Sequence, residues 1–137
     1  MSYLLDTNAC IALMNGAPTA VRSRFEEAIQ GGLAVYVSSV VAFELWYGIA
    51  KSARVEANTR RFELLLSSSV TALTFDDEDS RAAGSIRATL EAAGKPMGAY
   101  DYLIAGQALA RQLTLVTANV SEFSRVKGLS WQDWAKS

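Results

Sequence analysis

The chain has 137 residues, half of them hydrophobic and a fifth charged, with a formal net charge of −1 and no histidine. That length suits one domain with a real core, and the near-neutral charge excludes a polycation that grips nucleic acid over its whole surface. The missing histidine excludes Ser-His-Asp and Cys-His nucleophiles, histidine-based nucleases and nearly all zinc sites, so proton chemistry must run on carboxylates, Lys, Tyr or metal-activated water.

The apolar opening MSYLLDTNACIALMNG has no basic leader and already carries Asp6. It is expected to be a first strand and helix rather than a signal peptide. No apolar run approaches the roughly 18 residues that cross a bilayer. A single cysteine, Cys10, excludes an internal disulfide and fits a reducing cytoplasm. Along the chain, Ser2–Leu5 is expected as a buried strand ending at Asp6. Asn8–Met14 and Thr19–Ile29 are expected helices, parted by Asn15-Gly16-Ala17-Pro18. Gly31-Gly32 then breaks the chain before a strand at Leu33–Val37. Ser38 or Ser39 caps a helix running through Glu44 to about Ala50.

Val55–Leu66 follows as a helix, then a serine-rich turn and a strand at Val70–Leu73. Asp76–Glu78 opens an acidic helix that Gly94 ends. Lys95–Ala99 is a loop, Tyr100–Gln112 a helix with small packing residues, Leu113–Thr117 a strand and Leu129–Trp131 a last edge strand. Strands separated by helices make βαβ units. The expected fold is therefore α/β: one domain over residues 1–137, with a central parallel sheet and helices on both faces.

Three carboxylates stand where such a sheet puts its working crevice, beyond the carboxyl ends of the strands. Asp6 terminates an apolar strand, where an ionisable group faces desolvation; the competing role is a helix cap, which Thr7 or Asn8 would fill equally well. Glu44 lies in an otherwise apolar helix, where a solvated face or a buried ion pair is the plain alternative. Asp101 opens the apolar helix Tyr102-Leu103-Ile104-Ala105, where an acid also complements the helix dipole. Brought together, the three would repel one another unless a cation sat between them. Oxygen ligands without His or Cys select Mg²⁺ or Mn²⁺. Such an ion lowers the pKa of a water and stabilises charge on a phosphate, which lets a chain without histidine hydrolyse phosphodiesters.

Four segments carry a resemblance: Leu4-Leu5-Asp6-Thr7-Asn8, Ser39 to Gly48 (SVVAFELWYG), Gly98 to Ala105 (GAYDYLIA) and Leu115 to Phe123 (LVTANVSEF). In order and spacing they resemble the successive motifs of VapC-type PIN-domain toxins over nearly the whole chain. The resemblance implies a PIN fold, a divalent-metal endoribonuclease acting on structured RNA (tRNA included), and a prokaryotic toxin–antitoxin operon. It also implies a VapB-type antitoxin that neutralises the enzyme, a homodimer formed through helices, and a toxin–antitoxin hetero-oligomer.

Matched position by position, Asp6, Glu44 and Asp101 correspond to the family's metal-holding acids. Many PIN domains have Asp where this chain has Asn119, and VapC-like members pair such an Asn with an acid three residues on, here Glu122. Asn119 and Glu122 both stand for the fourth position, with Thr117 and Asn8 as supporting polar groups. The expected enzyme is thus a cytoplasmic ribonuclease using Asp6, Glu44, Asp101 and Glu122, leaving 5′-phosphate and 3′-hydroxyl ends. The alternative is a PIN-fold module that binds RNA or protein without cutting. A phosphatase with Asp6 as nucleophile lacks the second Asp two residues on. The dense run Asp76-Asp77-Glu78-Asp79 points its carboxylates in several directions, so a solvated helix start is expected there, and Cys10 is expected to be a core hydrophobe.

Overall fold

A computed structural model describes residues 1–136; the last position of the expected domain, Ser137, lies outside the described residues. In chain order the elements are β1 (Ser2–Leu5), α1 (Thr7–Asn15), α2 (Thr19–Gln30), β2 (Ala34–Ser38), α3 (Ser39–Ala50), α4 (Val55–Ser67) and β3 (Val70–Leu73). They continue with α5 (Asp77–Ala92), α6 (Ala99–Ala110), β4 (Thr114–Val116), α7 (Val120–Phe123) and β5 (Trp131–Gln132). The five strands form one sheet in the order β3-β2-β1-β4-β5, every neighbouring pair parallel. Leu4, Leu5, Val35, Val37, Leu115 and Val116 are almost wholly buried, as side chains are when both faces of a parallel sheet are covered.

The direction of winding explains where a crevice opens. From β1 the chain moves outward through β2 to β3, then returns to the far side of β1 to lay down β4 and β5. Right-handed crossovers in opposite directions put the helices of the two halves on opposite faces of the sheet. The turn-around lies between β1 and β4, where the loops leaving the two strand ends part and leave a gap. At that gap the Asp6 N–H still donates to the Val116 carbonyl (3.1 Å), joining the ends of the two strands.

Two details differ from the sequence expectation. The four-residue helix α7 follows β4, and so short an element carries no readable periodicity. The edge strand begins at Trp131 rather than Leu129, because Gly128 takes a positive φ of 85° and the Leu129 N–H turns back to the Val126 carbonyl. Ladder contact with β4 starts only at the Ser130 carbonyl, which accepts from Leu115 N–H at 2.9 Å.

The acidic run at the start of α5 is not a solvated helix start throughout. Asp76 and Asp79 form a reciprocal capping box, and Asp79 is fully buried. Its carboxylate accepts from Arg111 Nε at 3.1 Å and from Gln107 Nε2 at 3.1 Å, while Asp76 takes Arg111 Nη2 at 2.8 Å. The run fastens the start of α5 to the end of α6. Midway along the same pair, α5 and α6 touch so closely that a Cβ on Gly106 would sit 2.5 Å from the Ala83 nitrogen, which is why a glycine stands there. Cys10 is buried, and burial beside Asp6 pushes its thiol pKa up, as expected of a core side chain rather than a nucleophile.

Candidate active site

Asp6 follows directly on β1 and is the N-cap of α1: its Oδ1 accepts from the Ala9 N–H at 2.8 Å. The cap role, which the sequence offered equally to Thr7 and Asn8, therefore falls to Asp6. Capping fixes the carboxylate at the mouth of the crevice, with little exposure to water (6%). Burial raises its pKa above the usual carboxylate range; the Thr117 hydroxyl and the Ala9 N–H oppose the rise, and Glu44 and Asp133 add to it.

Released from capping, Thr7 acts across the crevice. Its Oγ1 donates to Glu44 Oε1 at 2.9 Å, tying the first turn of α1 to the middle of α3. Glu44 is thereby held toward Asp6 on a helix otherwise lined by Val41, Leu45 and Ile49 in the core. Ser38 caps α3 by accepting from the Val40 N–H at 3.1 Å, which sets the rotation that brings Glu44 inward.

Asp101 occupies the first turn of α6 and is half-buried. Burial first, then repulsion from Glu122, Glu44 and Asp6, pushes its carboxyl up to about 6. That rise overrides the helix N-terminus, which by itself would favour the anion. The four expected acids thus feel one another although they come from four different elements.

Thr117 follows directly on β4 beside Asp6, and its hydroxyl also accepts the Asn119 N–H at 2.9 Å. This turn leads into α7, where Glu122 lies one turn on from Asn119, itself the residue before the helix. Asn8 is exposed on α1 and lines a neighbouring pocket together with Asp133.

Two residues near the acids were not singled out from the sequence. Thr7 carried a signal in its place beside Asp6. Asp133 carried none, because only the pairing of β5 with β4 brings the end of the chain back to β1. None of the salt bridges among the described residues involves Asp6, Glu44, Asp101 or Glu122.

The donor set is all hard oxygen, and its mutual repulsion is the kind a divalent cation relieves. Among the described residues no three acidic or thiol side chains are drawn close enough to make a ready metal cage. The acids surround the crevice instead of filling it. Their chemistry fits a hard divalent ion and no softer metal.

A parallel α/β sheet with unpaired acids at its switch point defines the class, and the PIN domain family matches residues 3–129. The tRNA(fMet)-specific endonuclease VapC of Shigella flexneri is 40% identical over 135 residues, covering 98% of this chain and 99% of its own. Ribonuclease VapC2 of Rickettsia felis is 35% identical over 136 residues, covering 99% and 100%. The solved structure of VapBC2 from Rickettsia felis, bound to a DNA fragment from their promoter, superposes with a TM-score of 0.91 at 34% identity, covering 98% of this chain and 99% of that one. The chain belongs to the VapC ribonucleases of the PIN-domain family. It is an enzyme, and its nuclease class is that expected from the motifs. No described helix is long and apolar enough to cross a membrane.

Proposed function

We propose that this chain is the toxin of a toxin–antitoxin pair and hydrolyses structured RNA with Mg²⁺ or Mn²⁺ held by Asp6, Glu44, Asp101 and Glu122. The observation that carries this reading is the gathering of those acids around one crevice with no described cation beside them: burial, with added repulsion from Glu122, Glu44 and Asp6, pushes Asp101 up to about 6. When bound, the ion would supply Lewis-acid stabilisation of the scissile phosphate and ease deprotonation of the attacking water.

The chain's own residues set the geometry. Asp6 is fixed by the Ala9 N–H, so one carboxylate is preset before ion or substrate arrives. Thr7 holds Glu44 in the crevice without neutralising it. Asp101 keeps a proton up to about pH 6 in the ion-free protein, and it would have to give up that proton to hold a cation. Asn119 adds a neutral oxygen near the fourth position and Glu122 the charge. Attack by water leaves 5′-phosphate and 3′-hydroxyl ends.

The Shigella relative is named for tRNA(fMet), so initiator tRNA is the first substrate to test, in the cytoplasm where it resides. The Rickettsia structure is a VapBC complex, and a VapB-type antitoxin is the partner we assign here. Basic antitoxin side chains suit the acidic crevice. Phe43, Trp46 and Tyr47 leave an exposed apolar face on α3, and this is the surface we assign to a homodimer.

The test is cleavage of initiator tRNA and total RNA by antitoxin-free protein in Mg²⁺, Mn²⁺ and EDTA, with both ends of each product identified. Discrete metal-dependent cuts with 5′-phosphate ends are expected. Products with 2′,3′-cyclic phosphate would overturn the mechanism. Binding without any cut by folded protein would overturn the activity in favour of an RNA-binding module.

A further inference from the structure

Next to Asp6, sharing its hydrogen-bond partners Ala9 and Thr117, lies a pocket of about 240 Å³. Its walls come from α1 (Asn8, Ile11), the turn at Pro18, the residue after β4 (Thr117) and the C-terminal segment (Asp133, Trp134). We propose that this pocket takes one nucleobase of the bound RNA, that of a nucleotide next to the scissile phosphate. The proposal rests on reading the crevice as an RNA-cutting site.

Continuity comes first. Thr117 belongs to both places, its hydroxyl turned to Asp6 and its side chain on the pocket wall. A phosphodiester at Asp6 therefore has a base within one nucleotide's reach of the opening. Size is the second argument: the pocket suits one planar ring and is too small for a helix. Its lining is mostly carbon, the surface on which an unstacked base settles when single-stranded RNA is recognised.

Polarity then orients the occupant. Asp133 is held by the Ala135 N–H, which donates to its Oδ1 at 2.9 Å, and its charge is felt at Asp6. A carboxylate there turns the RNA backbone away and accepts N–H groups from the base. The Asn8 amide offers both a donor and an acceptor. Bases carrying an exocyclic amino group are thus favoured over uracil. The C-terminal wall is built before RNA arrives: Trp134 Nε1 donates to Gln132 Oε1 at 2.9 Å, and its ring meets Tyr3 edge-on at 5.1 Å.

The test uses RNA oligonucleotides spanning a mapped cut, with each flanking nucleotide in turn made abasic. Two variants accompany them: Ile11→Trp, which fills the pocket from an exposed position (39%), and Asp133→Asn. One abasic position is expected to slow wild-type cleavage by about tenfold, the scale of one lost base contact. Ile11→Trp is expected to slow the intact RNA comparably while leaving the abasic RNA unchanged, and Asp133→Asn to shrink the preference for amino-bearing bases. Equal rates on abasic and intact RNA, or normal cleavage by Ile11→Trp, would overturn the proposal. So would weakened antitoxin binding by Ile11→Trp with cleavage intact, which would make the pocket a protein subsite.

A second readout does not depend on cutting. RNA carrying 2-aminopurine at successive positions reports burial of each base on binding. A fluorescence change confined to one position, lost in Ile11→Trp, supports the pocket even if wild type fails to cut and the nuclease reading falls. Uniform fluorescence across positions removes the pocket and leaves the nuclease reading standing.

Discussion

The acidic run of α5 and the crevice at the ends of β1 and β4 each gather four carboxylates, in opposite electrostatic circumstances. In the run three of the four acids have a partner. Asp76 and Asp79 cap each other's backbone, Arg111 reaches both, Gln107 donates to Asp79, and Asp77 pairs with Arg81. The backbone N–H of Asp79 and the nearby Arg111 hold the Asp76 carboxyl below its ordinary value. In the crevice no described cation pairs with Asp6, Glu44, Asp101 or Glu122, and both resolved pKa shifts run upward. Carboxylates that are partnered hold the fold together; carboxylates left facing one another are poised for a ligand.

The largest expected effect divides the two groups by activity. Asp101→Asn is expected to lose RNA cleavage by at least about a hundredfold, the scale of a lost catalytic group, without losing stability in EDTA, since it removes an unpaired charge. Asp77→Asn, in an exposed pair, is expected to leave cleavage unchanged. Cleavage rates and thermal melts on both variants measure this.

Next, the division appears in stability. Asp79→Ala strands Gln107 and Arg111 and is expected to cost about 3 kcal/mol in urea unfolding, with cleavage retained where the protein stays folded. A smaller effect follows from Thr7→Val, which frees Glu44. Cleavage is expected to fall about tenfold, the scale of one hydrogen bond to a charged group, with kcat changing more than KM.

The smallest effect is the pH dependence of folding in EDTA. Asp101 titrates near 3.8 in the unfolded chain and near 6 when folded. Between those values the folded state binds more protons, so the Asp101 contribution makes stability fall as pH rises from about 4 to 6. Its cost is absent below that window and fully present above it. Asp101→Asn should flatten that part of the stability–pH curve; an unchanged slope would assign the titration elsewhere.

The alternation of strands and helices was legible because apolar runs, Gly-Gly breaks and serine caps are local signals, and eleven of the twelve described elements stand within a few residues of their expected places. Asp6 and Asp101 were legible for the same reason, since one ends a strand and the other opens a helix, while Glu44 stood out as a lone acid in an apolar helix. Partnership was not legible. Nothing local tells that Arg111 covers Asp79, 32 positions away, or that Thr7 reaches Glu44 across 37. The densest acidic run in the sequence therefore proved a largely exposed helix start with one buried fastening, Asp79, and Asp133 joined the surroundings of Asp6 through an edge strand of two residues.

Mn²⁺ titration followed by paramagnetic broadening of backbone resonances sets the two groups against each other directly. The signals of Asp6, Thr7, Asp101 and Thr117 are expected to disappear first, with residues 76–79 unaffected at the same metal concentration, and Asp101→Asn to abolish that order. Broadening centred on residues 76–79, with Asp6 and Asp101 untouched, would contradict the assignment of the crevice acids as the metal-holding site.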